Sequence, residues 1–399
     1  MSSSVPEGWL KGQLSSIATL EYGKSPNHVR QEEGQYPIVG TSGIVGTANQ
    51  YLWDEKSVVI GRKGTINKPI YIETPFWAID TTYFCKFAED TDPKWFYYKV
   101  CEEQLEKHNE ASGVPSLSRD TLRGLQFEIP PLPEQKKIAS ILTSVDEVIE
   151  NTQKQIDKLQ DLKKATRNEL LTKGIGHTEF KDSELGRIPK SWFNISVDEA
   201  LKCKILDSIQ DGNHGSQHPK SSDYVIKGIP FVMASDLRNG KVDVSRAKKI
   251  PTGVYEGLRI GFAKVGDVLL THKATIGEVA VVDEDCGAIM CTPQVTYYRI
   301  KDAGRLSSRF LFYWFQSQQF QRELFRVSGQ STRDYIGIKA QKELFIRIPP
   351  ITEQNSITSI LLAVDEKVSR VKRKLAQTQA LKKSLMQDLL TGKVRVTVN

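Results

Sequence analysis

The sequence predicts an α+β fold: two mixed α/β globular domains joined by two long helices that form an antiparallel coiled coil, with a pseudo-two-fold internal repeat. Three observations carry this expectation. One phrase of the chain occurs twice. Each copy opens with a Pro-Pro pair and continues in the apolar rhythm of a long helix. Each copy follows a stretch of short apolar runs broken by Gly, Asn, Asp and Pro clusters, the pattern of short strands and loops.

The repeat is explicit. Pro130-Pro131-Leu132-Pro133-Glu134-Gln135 leads into Ile138, Ser140, Ile141, Leu142 and Val145-Asp146-Glu147. Pro349-Pro350-Ile351-Thr352-Glu353-Gln354 leads into Ile357, Ser359, Ile360, Leu361 and Val364-Asp365-Glu366. The offset of 219 holds without a gap to Leu170-Leu171-Thr172 and Leu389-Leu390-Thr391, and 18 of the 43 aligned positions are identical. Solenoid units run to about 20–50 residues, so this period marks duplication of a whole domain with its helix.

Taken in order, residues 1–130 form the first domain, 131–174 the first long helix, 175–187 a linker, 188–349 the second domain and 350–393 the second long helix. The domains open alike, with Val5-Pro6-Glu7-Gly8-Trp9 and Ile188-Pro189-Lys190-Ser191-Trp192. Ser57-Val58-Val59-Ile60 and Asp267-Val268-Leu269-Leu270 read as strands. Gln126-Phe127-Glu128-Ile129 and Phe345-Ile346-Arg347-Ile348 read as the strands that close each domain.

The helices are expected from about Glu134 to Thr172 and from about Glu353 to Leu390. A Pro-Pro pair precedes each and a glycine, Gly174 or Gly392, follows. The predicted packing seam is Ile138, Ile141, Val145, Val148, Leu159 and Leu162 against Ile357, Ile360, Val364, Val371, Leu381 and Leu385. Leu142, Ile149 and Ile156 broaden the first stripe; Leu361, Val368 and Leu375 lie beside the second. A helix of about 40 residues spans about 60 Å, which exceeds what an average domain uses.

Composition narrows the function. A chain of 399 residues with 39% hydrophobic and 26% charged content is ordinary globular protein. No apolar run reaches the roughly 18 residues of a membrane span, and the N-terminus lacks a signal pattern, so a cytoplasmic protein with no membrane partner is expected. Cys85, Cys101, Cys203, Cys286 and Cys291 are odd in number and scattered, as reduced thiols are. A net charge of +7 with a pI near 8.9 permits a polyanionic partner.

Several motifs bear on that partner. Gly23-Lys24-Ser25 has the end of a phosphate-binding loop without its spacing, since position 18 is Ala. Lys24 and Ser25 remain candidate contacts. Arg62, Lys63 and Thr65, paralleled by His272, Lys273 and Thr275, follow strands; they suit phosphate contacts or else a solvated turn. Ser116, Ser118 and Arg119, and Gln330, Ser331, Thr332 and Arg333, lie in polar loops of the kind that read base edges. Asn213 and His214 lie in Asp211-Gly212-Asn213-His214-Gly215, a loop whose Asn and His side chains can reach base edges or phosphates. His214 and His218 have an i, i+4 spacing that would hold zinc only on a helix, and this segment reads as loop. The basic run Lys367 to Lys374 reads as a solvated helix face, or else as a face turned to the DNA spacer or an acidic partner. No Gly-rich dinucleotide fingerprint follows a strand and no methyltransferase Asn/Asp-Pro-Pro-Tyr/Phe motif occurs.

The two Pro-Pro-Leu/Ile-x-Glu-Gln openings carry a resemblance, together with the Val-Asp-Glu turns and the Leu-Lys-Lys…Leu-Leu-Thr helix ends. So do Lys63-Gly64-Thr65-Ile66, Lys273-Ala274-Thr275-Ile276 and Leu185-Gly186-Arg187-Ile188-Pro189…Trp192. Over essentially its whole length the chain resembles the specificity (S) subunit of type I restriction-modification systems. The resemblance implies that each domain is a target recognition domain reading half of a bipartite, asymmetric site in double-stranded DNA. The helices would act as a ruler and as a dock for two methyltransferase (M) and two restriction (R) subunits. The chain itself would be non-catalytic and hold no cofactor; S-adenosylmethionine, ATP and Mg2+ would belong to the partners. Readers of two major-groove segments on one face need centres about 34 Å apart, within the reach of such a helix. A self-sufficient DNA methyltransferase or nuclease with an unrecognised catalytic motif is the competing enzyme class, and a coiled-coil scaffold that binds only protein is the third.

Overall fold

Gln135 and Gln354 explain why the Pro-Pro-x-x-Glu-Gln phrase is needed twice. Each lies in the first turn of a long helix and folds back on the strand-to-helix junction. Gln135 Nε2 donates to the Pro130 and Asp90 carbonyls at 2.9 and 3.1 Å, and its Oε1 accepts from Asp92 N at 2.8 Å. Gln354 Nε2 donates to Pro349 O and Arg305 O, both at 2.8 Å, and its Oε1 accepts from Ser307 N at 2.9 Å. The adjoining carboxylates anchor the domain entry: Glu134 accepts from Trp9 Nε1 and Glu353 from Trp192 Nε1, each at 2.9 Å. A buried amide that satisfies three backbone groups fixes where the chain turns from strand to helix.

The computed structural model describes residues 5–212, 218–328 and 335–398. They fall into two units, Met1–Ile156 with Val371–Asn399, and Asp157–Arg370. In the first unit, Leu10–Gln13 pairs antiparallel with Gln126–Ile129 at the base of the domain. A four-stranded sheet has the order Ala18–Tyr22, Thr82–Phe87, Ser57–Gly61, Ile70–Ile72. A three-stranded sheet has the order Gly43–Ala48, Tyr36–Gly40, Trp77–Ala78, its last pair parallel.

The second unit repeats the plan with additions. Phe193–Ser196 pairs antiparallel with Phe345–Ile348. The main sheet has six strands and contains Leu206–Asp211, Val295–Ile300, Val268–Lys273 and Thr275–Val281 in that order. A four-stranded sheet contains Ile229–Val232 beside Ile289–Cys291, again parallel. The α+β class and the internal repeat are thus present in the structure. The stretch 175–187 is more than a linker: Phe180–Lys181 pairs with Ile188–Pro189, and Glu353 Oε1 accepts from Ile175 N and contacts His177 Nε2.

The long helices run Leu132–Lys173 and Ile351–Leu390. Gly174 and Gly392, each at φ +67°, stop them in the left-handed conformation that glycine tolerates. Within the first unit, Ile138, Ala139 and Leu142 share a core with Leu389 and Leu390 of the second helix. Within the second, Leu171 shares a core with Ile357 and Leu361. The helices are therefore antiparallel where they meet in each unit. The last-turn carbonyls of Leu390 and Leu171, equivalent under the repeat, are each capped by a buried base. Lys99 Nζ donates to the first at 3.1 Å, and Arg347 Nη1 to the second at 3.0 Å. A cation there complements the helix dipole.

The packing seam differs from the expected one. Ile138, Leu142, Val145, Ile149, Thr152, Ile156, Leu159, Lys163, Thr166 and Leu170 follow a strict 4-3 spacing, and each is buried or half-buried. The positions 219 residues later, Ile357 through Leu389, do the same. Val148, Leu162, Ile360 and Leu381 stand outside this series and are exposed. Ile141 is half-buried one position off it. The reason is physical: polar residues occupy seam places (Thr152, Lys163, Thr378, Lys382), so the nearest apolar residue, such as Leu162, marks the flank instead. A 3.5-residue period keeps such a seam facing its partner helix.

Candidate nucleic-acid interface

Three loops converge at one end of the first domain. Strand Ala18–Tyr22 ends at Gly23, whose N–H donates to Thr82 O at 3.0 Å. A Cβ there would collide with the Ile79 carbonyl, so only glycine lets the chain turn so close to its neighbour. The turn leaves Tyr22 44% exposed. Strand Ser57–Gly61, buried throughout, delivers Arg62 and Lys63 beyond the sheet. Gly64 takes φ +95°. The third loop is stitched to the second: Leu117 N donates to Arg62 O at 2.9 Å and Gly64 N to Pro115 O at 2.8 Å. Buried Leu117 anchors it, and Ser118 Oγ accepts from Thr121 N to cap a short helix.

These loops line an open, polar cavity of about 330 Å³ bounded by Tyr22, Arg62, Lys63, Glu110, Ser116 and Arg119. Both guanidiniums lie over the Tyr22 ring, Arg62 Cζ at 5.3 Å and Arg119 Cζ at 4.9 Å from its centroid. Arg62 is further tied by Nη1 to Asp80 O at 3.1 Å. Tyr83 closes the floor, its hydroxyl donating to Leu117 O at 3.2 Å, and burial pushes that phenol up to about 12. Hydrogen bonds from Thr121 and Ser118 hold the Glu110 carboxyl below the usual carboxylate range. Fixed donors with a stacked arginine are suited to base edges or phosphate oxygens.

The expected residues are thus partly brought together. Arg62, Lys63, Ser116, Ser118 and Arg119 line one cavity, although the Ser118 hydroxyl is engaged in its helix cap. Thr65 is half-buried beside them in sequence, while the exposed Lys24 and Ser25 are not among the cavity's lining residues. Tyr22, Tyr83 and Glu110 were not legible as members, because nothing local to each residue shows that strand pairing brings it beside Arg62 and Arg119. The one available signal was the aromatic residue directly before Gly23.

The second domain uses the same stitching. Gly212 N donates to Val295 O at 3.1 Å and Ile336 N to His272 O at 3.0 Å. Lys273 bridges to Tyr335 as Lys63 bridges to Ser116. Gly23 therefore corresponds to Gly212, Arg62 to His272 and Leu117 to Ile336. Lys273 and Thr275 are exposed on a turn whose centre, Ala274, takes φ +67°. His272 is a correction to the expected contact set. It is fully buried, its Nδ1 meets Ile336 O at 3.0 Å, and Tyr335 packs 5.4 Å from its ring. Burial lowers its pKa and favours the neutral imidazole, so the charge that would attract a phosphate is disfavoured here. Asn213, His214, Gln330, Ser331, Thr332 and Arg333 lie outside the described residues. Among the described residues, no cluster of His, Cys, Asp or Glu is arranged to hold a metal ion, and no helix is long and apolar enough to cross a membrane.

Comparison with known proteins agrees with this architecture. The model of the type I restriction modification DNA specificity domain matches the chain twice, at residues 6–161 and 209–379. Among curated relatives, the type I restriction enzyme MjaVIII specificity subunit of Methanocaldococcus jannaschii is 26% identical over 98% of this chain and 94% of that protein. The EcoBI specificity subunit of Escherichia coli is 23% identical over 98% and 87%. Among solved structures, the type I restriction-modification S subunit from M. genitalium has the same fold. Its TM-score is 0.61 at 14% identity, covering 100% of this chain and 99% of that one.

Proposed function

Because the chain belongs to the type I restriction modification DNA specificity family, we propose that it reads a bipartite, asymmetric site in double-stranded DNA, one domain per half-site. The observation that carries this reading is the duplication itself. The loop-stitching framework is kept in both domains: Gly23 and Gly212, Lys63 and Lys273, Leu117 and Ile336. The side chains it presents have diverged. One scaffold with two reading heads is the economical way to recognise two unlike half-sites.

The long helices serve as ruler and dock. Leu162 and Leu381, equivalent under the repeat, are each 53% exposed outside the packing seam. Identical apolar residues exposed at repeat-equivalent places suit two copies of one partner, and the methyltransferase subunit is that partner here. Restriction subunits join the assembly through it. The methyl donor S-adenosylmethionine, and the ATP and Mg2+ of the nuclease, are held by those partners; this chain supplies recognition and assembly.

The test is to purify the chain with its methyltransferase subunit and map the methylated positions on genomic DNA. A split asymmetric motif that changes in one half when one domain is exchanged is the expected result. A continuous motif, or methyl transfer by this chain alone, overturns the reading.

A further inference from the structure

Comparing the two reading ends position by position separates what is kept from what has changed. Lys63, Thr65 and Ile66 recur as Lys273, Thr275 and Ile276. Around them, Tyr22 gives way to Asp211, Arg62 to His272 and Arg119 to Ile338, positions fixed by equivalent backbone hydrogen bonds. Groups held in common by two readers of different sequences contact what all DNA shares, the phosphates. Groups that differ are free to read bases.

Among the changed groups only one is a free fork. Arg62 spends Nη1 on Asp80 O, and His272 is buried. Arg119 stacks on Tyr22, and no hydrogen bond from its guanidinium occurs among the described residues. Stacking on an aromatic face orients a guanidinium plane while leaving its N–H edge unspent. That edge matches the O6 and N7 acceptors of guanine in the major groove. We propose that Arg119 reads a guanine in the half-site of the first domain and that Tyr22 is the positioning residue that holds it flat for that contact. The second domain, with Ile338 and Asp211 at these places, reads its half-site by other chemistry.

The proposal rests on the reading that the first domain binds DNA. The experiment is selection from a randomised duplex library by the full chain complexed with its methyltransferase subunit. Arg119→Lys keeps the charge and loses the bidentate fork. It is expected to lower discrimination at one guanine by roughly 5- to 150-fold, with other positions and the salt slope unchanged. Tyr22→Ala produces the same single-position loss, and Tyr22→Phe, which keeps the ring, restores it. If Arg119→Lys leaves every base preference intact, or Arg119→Ala weakens all sequences alike, Arg119 is a phosphate contact and the proposal is overturned. If the wild-type complex selects no motif, DNA reading by this chain falls and this assignment with it; a wild-type motif with no guanine dependence sinks the assignment alone.

Discussion

Lys163 Nζ lies 2.6 Å from Asp365 Oδ1, and the pair recurs in reciprocal form, Lys382 Nζ lying 2.5 Å from Asp146 Oδ1. Position 382 is 163 carried through the repeat, and 365 is 146. Each aspartate also accepts from a tyrosine of its own domain, Tyr313 to Asp365 at 3.0 Å and Tyr98 to Asp146 at 2.8 Å. Each knot joins one recognition domain to both long helices within a single unit. Lys163→Met and Asp365→Asn should each cost ~1 kcal/mol, because the pair is about one-third exposed and partly screened. A double-mutant cycle by denaturant unfolding should give a coupling of at least ~0.5 kcal/mol; strictly additive losses would show the pair to be idle.

The duplicated aspartates were visible as Val-Asp-Glu, yet their partners were not. An apolar pattern marks only part of the seam: lysines and threonines also occupy seam places, with Lys163 and Lys382 paired to aspartates. His272 has an exposed neighbour, Lys273, but is itself buried, with Tyr335 packed on it where the first domain has Ser116. The Tyr22 cavity was illegible for a different reason. Its members arrive from four separate segments, at Tyr22, Arg62 with Lys63, Tyr83, and Glu110 through Arg119, and only long-range strand pairing brings them together. What a local pattern can encode, the helices, the Pro-Pro junctions and the closing strands, was readable.

Acid should loosen the first unit through Glu134. Burial alone would raise its pKa, but the Arg395 guanidinium at 2.8 Å and the Trp9 N–H outweigh burial and hold it below the ordinary value. A carboxyl lowered in the folded state stabilises above its unfolded pKa of ~4.3 and loses that contribution as pH falls through the folded value. Stability should therefore decline below about pH 4.5. Glu134→Gln should be less stable at neutral pH and show a flatter decline. Urea midpoints across pH 3–7 decide it, and parallel curves would refute the assignment.

Lys63→Ala and Lys273→Ala should weaken DNA binding evenly across sequences. Each lysine is exposed, stands at or just past the end of a strand and is kept in both domains. Loss of one phosphate contact should reduce the slope of log K against log salt by about 1. Titrations of a cognate and a scrambled duplex at several salt concentrations measure this. A changed base preference would move these lysines among the base readers.

Leu162→Glu and Leu381→Glu should each remove one methyltransferase subunit while leaving the fold intact. Both side chains are 53% exposed and outside the seam, so the charge meets water in the free chain. In a complex it would be desolvated beside apolar surface, at a cost of several kcal/mol. The mass of the purified complex should fall by one subunit for each single variant and by two for the pair. Full-mass complexes from the double variant would place the dock elsewhere.

The corrected seam changes how the ruler must be tested. Removing one turn, 3 or 4 residues, throws every later seam residue off its face and destabilises the helix pair for reasons unrelated to spacing. Removing seven residues from each helix, 151–157 and 371–377, keeps the 4-3 series continuous and spares both Asp–Lys pairs and both Pro-Pro-x-x-Glu-Gln junctions. Seven residues shorten a helix by about 10.5 Å at 1.5 Å each. That is about three base pairs of duplex at 3.4 Å each. The methylated motif of the shortened chain, complexed with its methyltransferase subunit, should keep both half-site sequences and lose about three unread base pairs between them. Three base pairs also turn the duplex by roughly a third of its ~10.5-base-pair helical repeat. Activity should therefore fall even where spacing matches, and a partial loss with a shortened spacer is the specific expectation. An unchanged spacer in a folded, active complex would mean that the helices join the domains without measuring the distance between their targets.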